Sequence, residues 1–149
     1  MSGQAADAPG GDGRRWLVLY DGECGLCMWL LAIVLRLDTS RRLRPAALQG
    51  VEAERLLADL PAAERMASWH LISPEGVRRS AGAALPALVD LLAFGSVPAR
   101  ALACLPWLNE RGYRWVADHR TQLSRLVTPG ATRRAARYVR GREVGRDGA

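Results

Sequence analysis

Cys24 and Cys27, in the run Asp21-Gly-Glu-Cys24-Gly-Leu-Cys27, are the residues of this chain best suited to covalent chemistry. They fall where a short apolar run, Trp16 to Tyr20, gives way to a strongly apolar stretch from Leu26 to Leu37. That pattern is a buried strand feeding a helix. A Cys at the first turn of a helix meets unpaired backbone N–H groups and the positive end of the helix dipole, and both favour thiolate, the reactive form. A second Cys three residues on lies one turn inward on the same face, where the two sulfurs can join in a disulfide without unwinding the helix. Cys24 is therefore the candidate nucleophile and Cys27 the candidate resolving thiol of a thiol–disulfide exchange.

The neighbours refine this chemistry. Asp21 has two candidate roles: a turn or N-cap acceptor for the first helical N–H groups, or a proton acceptor for Cys27 during resolution. Gly22, Gly25 and Leu26 are the candidate substrate-contacting positions. Gly25 leaves backbone amides open beside Cys24, and Leu26 offers an apolar contact for a substrate peptide. No Arg or His lies within the loop, so acidification of Cys24 is expected to rest on the helix terminus, with Asp21 and Glu23 opposing it. The expectation is a moderately acidified thiolate, nearer a reductase than a strong oxidant.

A C-x-x-C is also half of a zinc site, which would need two further ligands. The candidates are Cys104, His70 and His119, and they stand on separate predicted elements without knuckle-like spacing. The pair is accordingly read as redox-active, with no metal and no cofactor. Cys104 is expected to be a small core residue, His70 a packed strand residue and His119 a surface group.

The supporting elements read as follows. Arg42 to Ala46 suits a short edge strand, since Pro45 cannot donate to a ladder. Glu52 to Leu60 suits a short helix and Met66 to Ile72 a strand. Ser73-Pro-Glu-Gly76 suits a turn with Val77 to Ser80 returning. Helical pattern then covers Ala83 to Phe94, Val97 to Leu105 and Leu108 to Val127. The order β-α-β-α-β-β-α followed by extra helices predicts a thioredoxin-like α/β fold: three layers, a small mixed sheet and additional C-terminal helices. The first helix is apolar nearly all round, so it must be covered on several sides or lie at an interface.

At 149 residues, 49% of them hydrophobic and 24% charged, the chain has room for one globular domain. Residues 1–15 read as a flexible leader, 16–127 as the domain and 128–149 as a basic tail. All 21 basic residues are Arg, which fits genome-level base composition better than chemistry. The tail's six Arg against Glu143 and Asp147 contribute +4 of the net +6, so the remainder is nearly balanced. Three Cys are too few for a secreted disulfide scaffold. Neither a signal-like apolar core before Gly13 nor a run of about 18 apolar residues occurs, so a soluble cytoplasmic protein is expected.

With these residues in view, the chain resembles the DCC family of thiol–disulfide oxidoreductases, named for its D-x-x-C-x-x-C pattern, here Asp21 to Cys27. Arg42-Leu-Arg-Pro-Ala-Ala-Leu-Gln49 is similar to the family's second strand, and Gly82-Ala-Ala-Leu-Pro-Ala-Leu88 to its Gly-x-Ala-rich helix start. Tyr113-Arg-Trp-Val-Ala-Asp-His-Arg120 is similar to its closing aromatic helix. The resemblance implies a thioredoxin-like fold and redox activity carried by Cys24 and Cys27, acting on a protein or low-molecular-weight thiol or disulfide.

A reading of another class is a thioredoxin-like binding or redox-sensing module that docks a partner through the Arg-rich tail and the aromatic C-terminal helix. Nucleic acid or an anionic membrane surface are lesser candidates for that tail. Trp107, Tyr113 and Trp115 could line a groove near the thiols, although packing of the last helix is the expected role. Oligomeric state is not legible.

Overall fold

The computed structural model describes residues 15–92 and 96–144. The first strand, β1 (Trp16–Tyr20), leads through the Asp21–Glu23 turn into α1 (Gly25–Leu37). After β2 (Leu43–Ala47) come α2 (Val51–Leu56), α3 (Ala62–Ala67), β3 (His70–Ile72) and β4 (Arg78–Ser80). A 3-10 turn over Ala81–Ala84 opens α4 (Leu85–Leu91), followed by α5 (Ser96–Ala103), α6 (Pro106–Asp118), α7 (Arg120–Ser124) and α8 (Pro129–Val144). The expected leader lies, apart from Arg15, outside the described residues, as do Phe94, Gly95 and the last five positions.

The four strands form one mixed sheet in the order β2-β1-β3-β4. β1 runs parallel to β2, with Val18 opposite Pro45, and antiparallel to β3, with Val18 opposite Leu71. Pro45 therefore stands on an edge strand, where its missing N–H leaves no ladder bond unmade. β1 is apolar at every position because both its faces are covered. Leu17 and Leu19 pack with Leu48, Ala53, Leu57 and Ile72 on one side of the sheet. Val18 and Tyr20 pack with Leu31, Leu35, Leu88 and Val139 on the other. Burial of such side chains contributes roughly 1.5–3 kcal/mol each. The result is the thioredoxin-like α/β architecture.

Helix α8 departs most from the expectation. The segment after Thr128 is not a separate tail: Ala135, Ala136 and Val139 are buried in the main core beside Leu31 and Leu35 of α1. A buried ion pair locks it there. Arg142 Nη2 donates to Asp38 Oδ2 at 2.9 Å and Nη1 to the Leu35 carbonyl at 3.2 Å. Asp38 also accepts the backbone N–H groups of Arg42 and Leu43, both at 2.9 Å, joining the end of α1, the start of β2 and α8. Small apolar residues spaced among the arginines carried this burial, and overall charge masked it. Coverage by α8 also answers why α1 is apolar nearly all round.

Other boundaries shifted for local reasons. Met66 belongs to α3 rather than to a strand, and β3 is only three residues long. The expected helix from Leu108 to Val127 breaks at His119, which ends α6 with φ −98° and ψ 7°. There the imidazole Nδ1 donates to the Trp115 carbonyl at 2.8 Å and its ring stacks on Trp115. Gly82 is buried where the backbone of α6 crosses: a Cβ there would sit 2.6 Å from the carbonyl carbon and oxygen of Asn109. The Gly of the Gly-x-Ala string thus has a packing reason. Among the described residues, no helix is long and apolar enough to cross a membrane.

Candidate active site

The first turn of α1 brings the two thiols together. Cys24 is the N-cap residue, in extended conformation with φ −89° and ψ 108°, and its Sγ accepts the backbone N–H of Cys27 at 3.3 Å. Both cysteines are free and half-buried. The Cys27 thiol also donates to Cys24, and this hydrogen bond is the largest influence drawing the Cys24 thiol from its ordinary 9.0 down to about 6. Burial and the Asp21 carboxylate push the other way, while the Cys27 backbone N–H and the Arg120 guanidinium assist. The same thiol–thiol bond, with burial, pushes Cys27 far up. One sulfur is thereby readied as an anion and the other kept as a proton-bearing thiol.

Acidification at the helix start agrees with the expectation, but its main source is the partner thiol. A basic group also takes part that sequence distance concealed. Arg120 is brought near the thiols by the break at His119, which starts α7 afresh.

Asp21 does not cap α1; Cys24 does. Asp21 Oδ1 instead accepts the Glu23 N–H at 3.0 Å and the Gln49 Nε2–H at 2.8 Å. Gln49 in turn accepts the Gly22 N–H at 3.1 Å, so one amide side chain brackets the turn that leads into Cys24. Gln49 was legible only as part of the second-strand string, and nothing in its spacing marked it as a positioning residue.

The candidate substrate-contacting residues are distributed differently from the expectation. Leu26 is buried, 5% exposed, and is not presented outward to a peptide. Gly25 faces α8, where a Cβ would approach Thr132 Cγ2 to 3.1 Å. Gly22 is held by Gln49. Cys104, expected in the core, is exposed. His70 is buried as expected, with Nδ1 accepting from Ser80 Oγ at 2.6 Å and Nε2 donating to the Arg65 carbonyl at 3.0 Å. Burial pulls its pKa down, so it stays a neutral structural link. Among the described residues, no group of three or more His, Cys, Asp or Glu could hold a metal ion.

Beside the thiols lies a cavity of about 430 Å³, within the size range of small-molecule sites. Cys27, Asp21, Tyr113 and Arg120 line it together with Leu26, Leu30, Ile33, Val34, Met66, Trp69, Leu88 and Val116. Cys24 is not among its lining residues. Of Trp107, Tyr113 and Trp115, all on α6, Tyr113 reaches this cavity, whereas Trp107 and Trp115 are 65% and 56% exposed.

A mixed four-stranded sheet with a C-x-x-C pair at the start of its first helix defines the thioredoxin-like class of thiol proteins. The chain belongs to the DCC1-like thiol–disulfide oxidoreductase family, whose sequence profile matches residues 18–126. No curated protein and no solved structure matches it. The matched span ends just before α8.

Proposed function

We propose that the protein catalyses thiol–disulfide exchange, with Cys24 as nucleophile and Cys27 as resolving thiol, on a protein or low-molecular-weight partner. The observation that carries this reading is the placement of the pair at the α1 N-terminus, where Cys24 is the N-cap and its Sγ accepts the Cys27 N–H at 3.3 Å, with the Cys27 thiol drawing Cys24 down to about 6. In the forward direction the Cys24 thiolate attacks a substrate disulfide. One substrate sulfur leaves as thiolate and a mixed disulfide forms. Cys27 then loses its proton and attacks Cys24 Sγ, closing the intramolecular disulfide and releasing the second substrate thiol. Asp21 is the carboxylate on the cavity wall beside Cys27, and we assign it the proton accepted in that second step. Arg120 offsets the negative charge that Asp21 brings near the thiolate. The setting we assign is the cytoplasm, where small thiols keep such pairs in the dithiol form.

The test is a thiol count before and after equilibration with oxidised dithiothreitol. Two thiols should be lost per chain in the wild type and none in Cys24→Ser. Retention of both thiols in the wild type rejects the reading. Asp21→Asn separates the roles of the carboxylate: slower closure of the disulfide, even though loss of the negative charge lets the Cys24 alkylation midpoint fall, supports proton transfer. Unchanged closure leaves Asp21 a turn residue only.

A further inference from the structure

The cavity beside Cys27 has a composition that the exchange reading leaves unused. Its walls are mostly aliphatic and aromatic, and its polar lining residues are Asp21, Cys27, Ser68, Tyr113 and Arg120. Cys27, Tyr113 and Arg120 influence one another electrostatically, and Asp21 acts on Cys27, which gathers these four at one end of an otherwise apolar space. Asp21 stands against Arg120, and Glu110, which also acts on Tyr113, pairs with Arg114, so the adjoining Cys24 thiolate leaves that end slightly negative. An anionic head group would meet net negative charge, and a cationic one would compete with Arg120. The cavity therefore suits a neutral molecule.

Two donors at that end have capacity to spare. Tyr113 Oη accepts the Trp69 N–H at 3.2 Å, and its own proton has no acceptor among the described residues. Burial keeps that hydroxyl protonated. Arg120 makes no ion pair or hydrogen bond within the described structure. An apolar ligand bearing a carbonyl oxygen would match both. Among neutral, apolar, carbonyl-bearing molecules, quinones can take two electrons from an adjacent dithiol.

We propose that this cavity binds a quinone, with its ring carbonyl toward Tyr113 and Arg120 and its apolar substituents among Leu30, Ile33, Val34 and Val116, and that the quinone oxidises the Cys24–Cys27 pair. In this step the sulfur–sulfur bond forms and the two sulfurs give up two electrons to the quinone. The Cys27 proton and one proton from water complete the hydroquinone. The Cys24 proton has already gone to solvent, so atoms and charges balance. The redox half of this inference rests on the exchange reading above; the binding half does not.

The experiment uses the full chain and a ubiquinone with one isoprene unit, whose fully substituted ring resists permanent addition of a thiolate. Binding is read in the Cys24→Ser/Cys27→Ser double variant by quenching of tryptophan fluorescence, since Trp69 lines the cavity. A saturable quench at one equivalent is expected, and only a non-saturating quench after Val116→Trp fills the space. An alkylbenzene of equal length should bind about tenfold more weakly, the worth of roughly one net hydrogen bond. Anaerobic mixing of the reduced wild type with the quinone should consume two thiols per quinone reduced. Non-saturating quenching in the unfilled protein, or equal affinity for the alkylbenzene, overturns the site. A pair that closes with oxidised dithiothreitol yet is untouched by bound quinone overturns the inference while leaving the exchange reading in place.

Discussion

Removing the thiol of Cys27 should undo the acidity of Cys24, because that thiol is the largest influence on it. In the wild type, a Cys24 value of about 6 leaves about nine-tenths of it as thiolate at pH 7, against about one-hundredth for a thiol at the ordinary 9.0. Cys27→Ala abolishes the side-chain hydrogen bond but keeps the backbone N–H that reaches Cys24 Sγ at 3.3 Å, and it leaves Arg120 in place. Burial outweighs that N–H and Asp21 outweighs Arg120, so the alkylation midpoint should return to the ordinary value or above it, leaving about one-hundredth of Cys24 or less ionised at pH 7. The assay is the pH dependence of iodoacetamide modification in a Cys104→Ser background, because Cys104 is exposed and would react in parallel. The midpoint is the quantity to read rather than the plateau rate, since a more basic thiolate is intrinsically more nucleophilic. A midpoint still at about 6 in Cys27→Ala would show that the helix terminus alone sets the acidity, and the argument from the thiol pair would be wrong.

Further outcomes follow from the same geometry. The folded-state pKa of Cys24 lies below its ordinary value, so its contribution to the stability of the reduced protein is complete above about pH 9. It is lost as the pH falls toward about 6. Urea unfolding across that window should show this slope in the reduced wild type and lose it in Cys24→Ser. Arg142→Ala strips the buried Asp38 carboxylate of its guanidinium and should destabilise the fold by about 3 kcal/mol. Arg140→Ala, an exposed site on the same helix, should change stability by no more than about 0.5 kcal/mol in the same urea titration. Gly82→Ala would push a methyl group into the α6 backbone, where an atom already lies 2.6 Å from the added position. Its unfolding midpoint should drop, and an unchanged midpoint would show that α6 can move aside.

What the sequence determined by itself was local and periodic. An apolar run bounded by turn residues made β1, and its apolarity at every position already announced burial on both faces. Pro45 marked β2 as an edge strand, and Ser73-Pro-Glu-Gly76 marked the turn between β3 and β4, where Gly76 takes φ +83°. Two Cys at a spacing of three, next to an apolar helix, specified a thiol pair at a helix start because helix geometry alone puts them on one face. Tertiary structure decided whatever depended on residues distant along the chain. Arg120 comes near the thiols, Gln49 brackets the Asp21 turn and Thr132 covers Gly25 through packing, and no local pattern records such contacts. Leu26 turned inward because a cavity wall lay beneath it, and Cys104 stayed outside although its apolar neighbours suggested a core. The largest reversal is α8. Its arginines read as a solvated tail, yet Ala135, Ala136 and Val139 are core residues and Arg142 closes a buried ion pair. Charge counted along a chain says nothing of which face a helix buries; only the apolar stripe of α1 waiting to be covered made that choice.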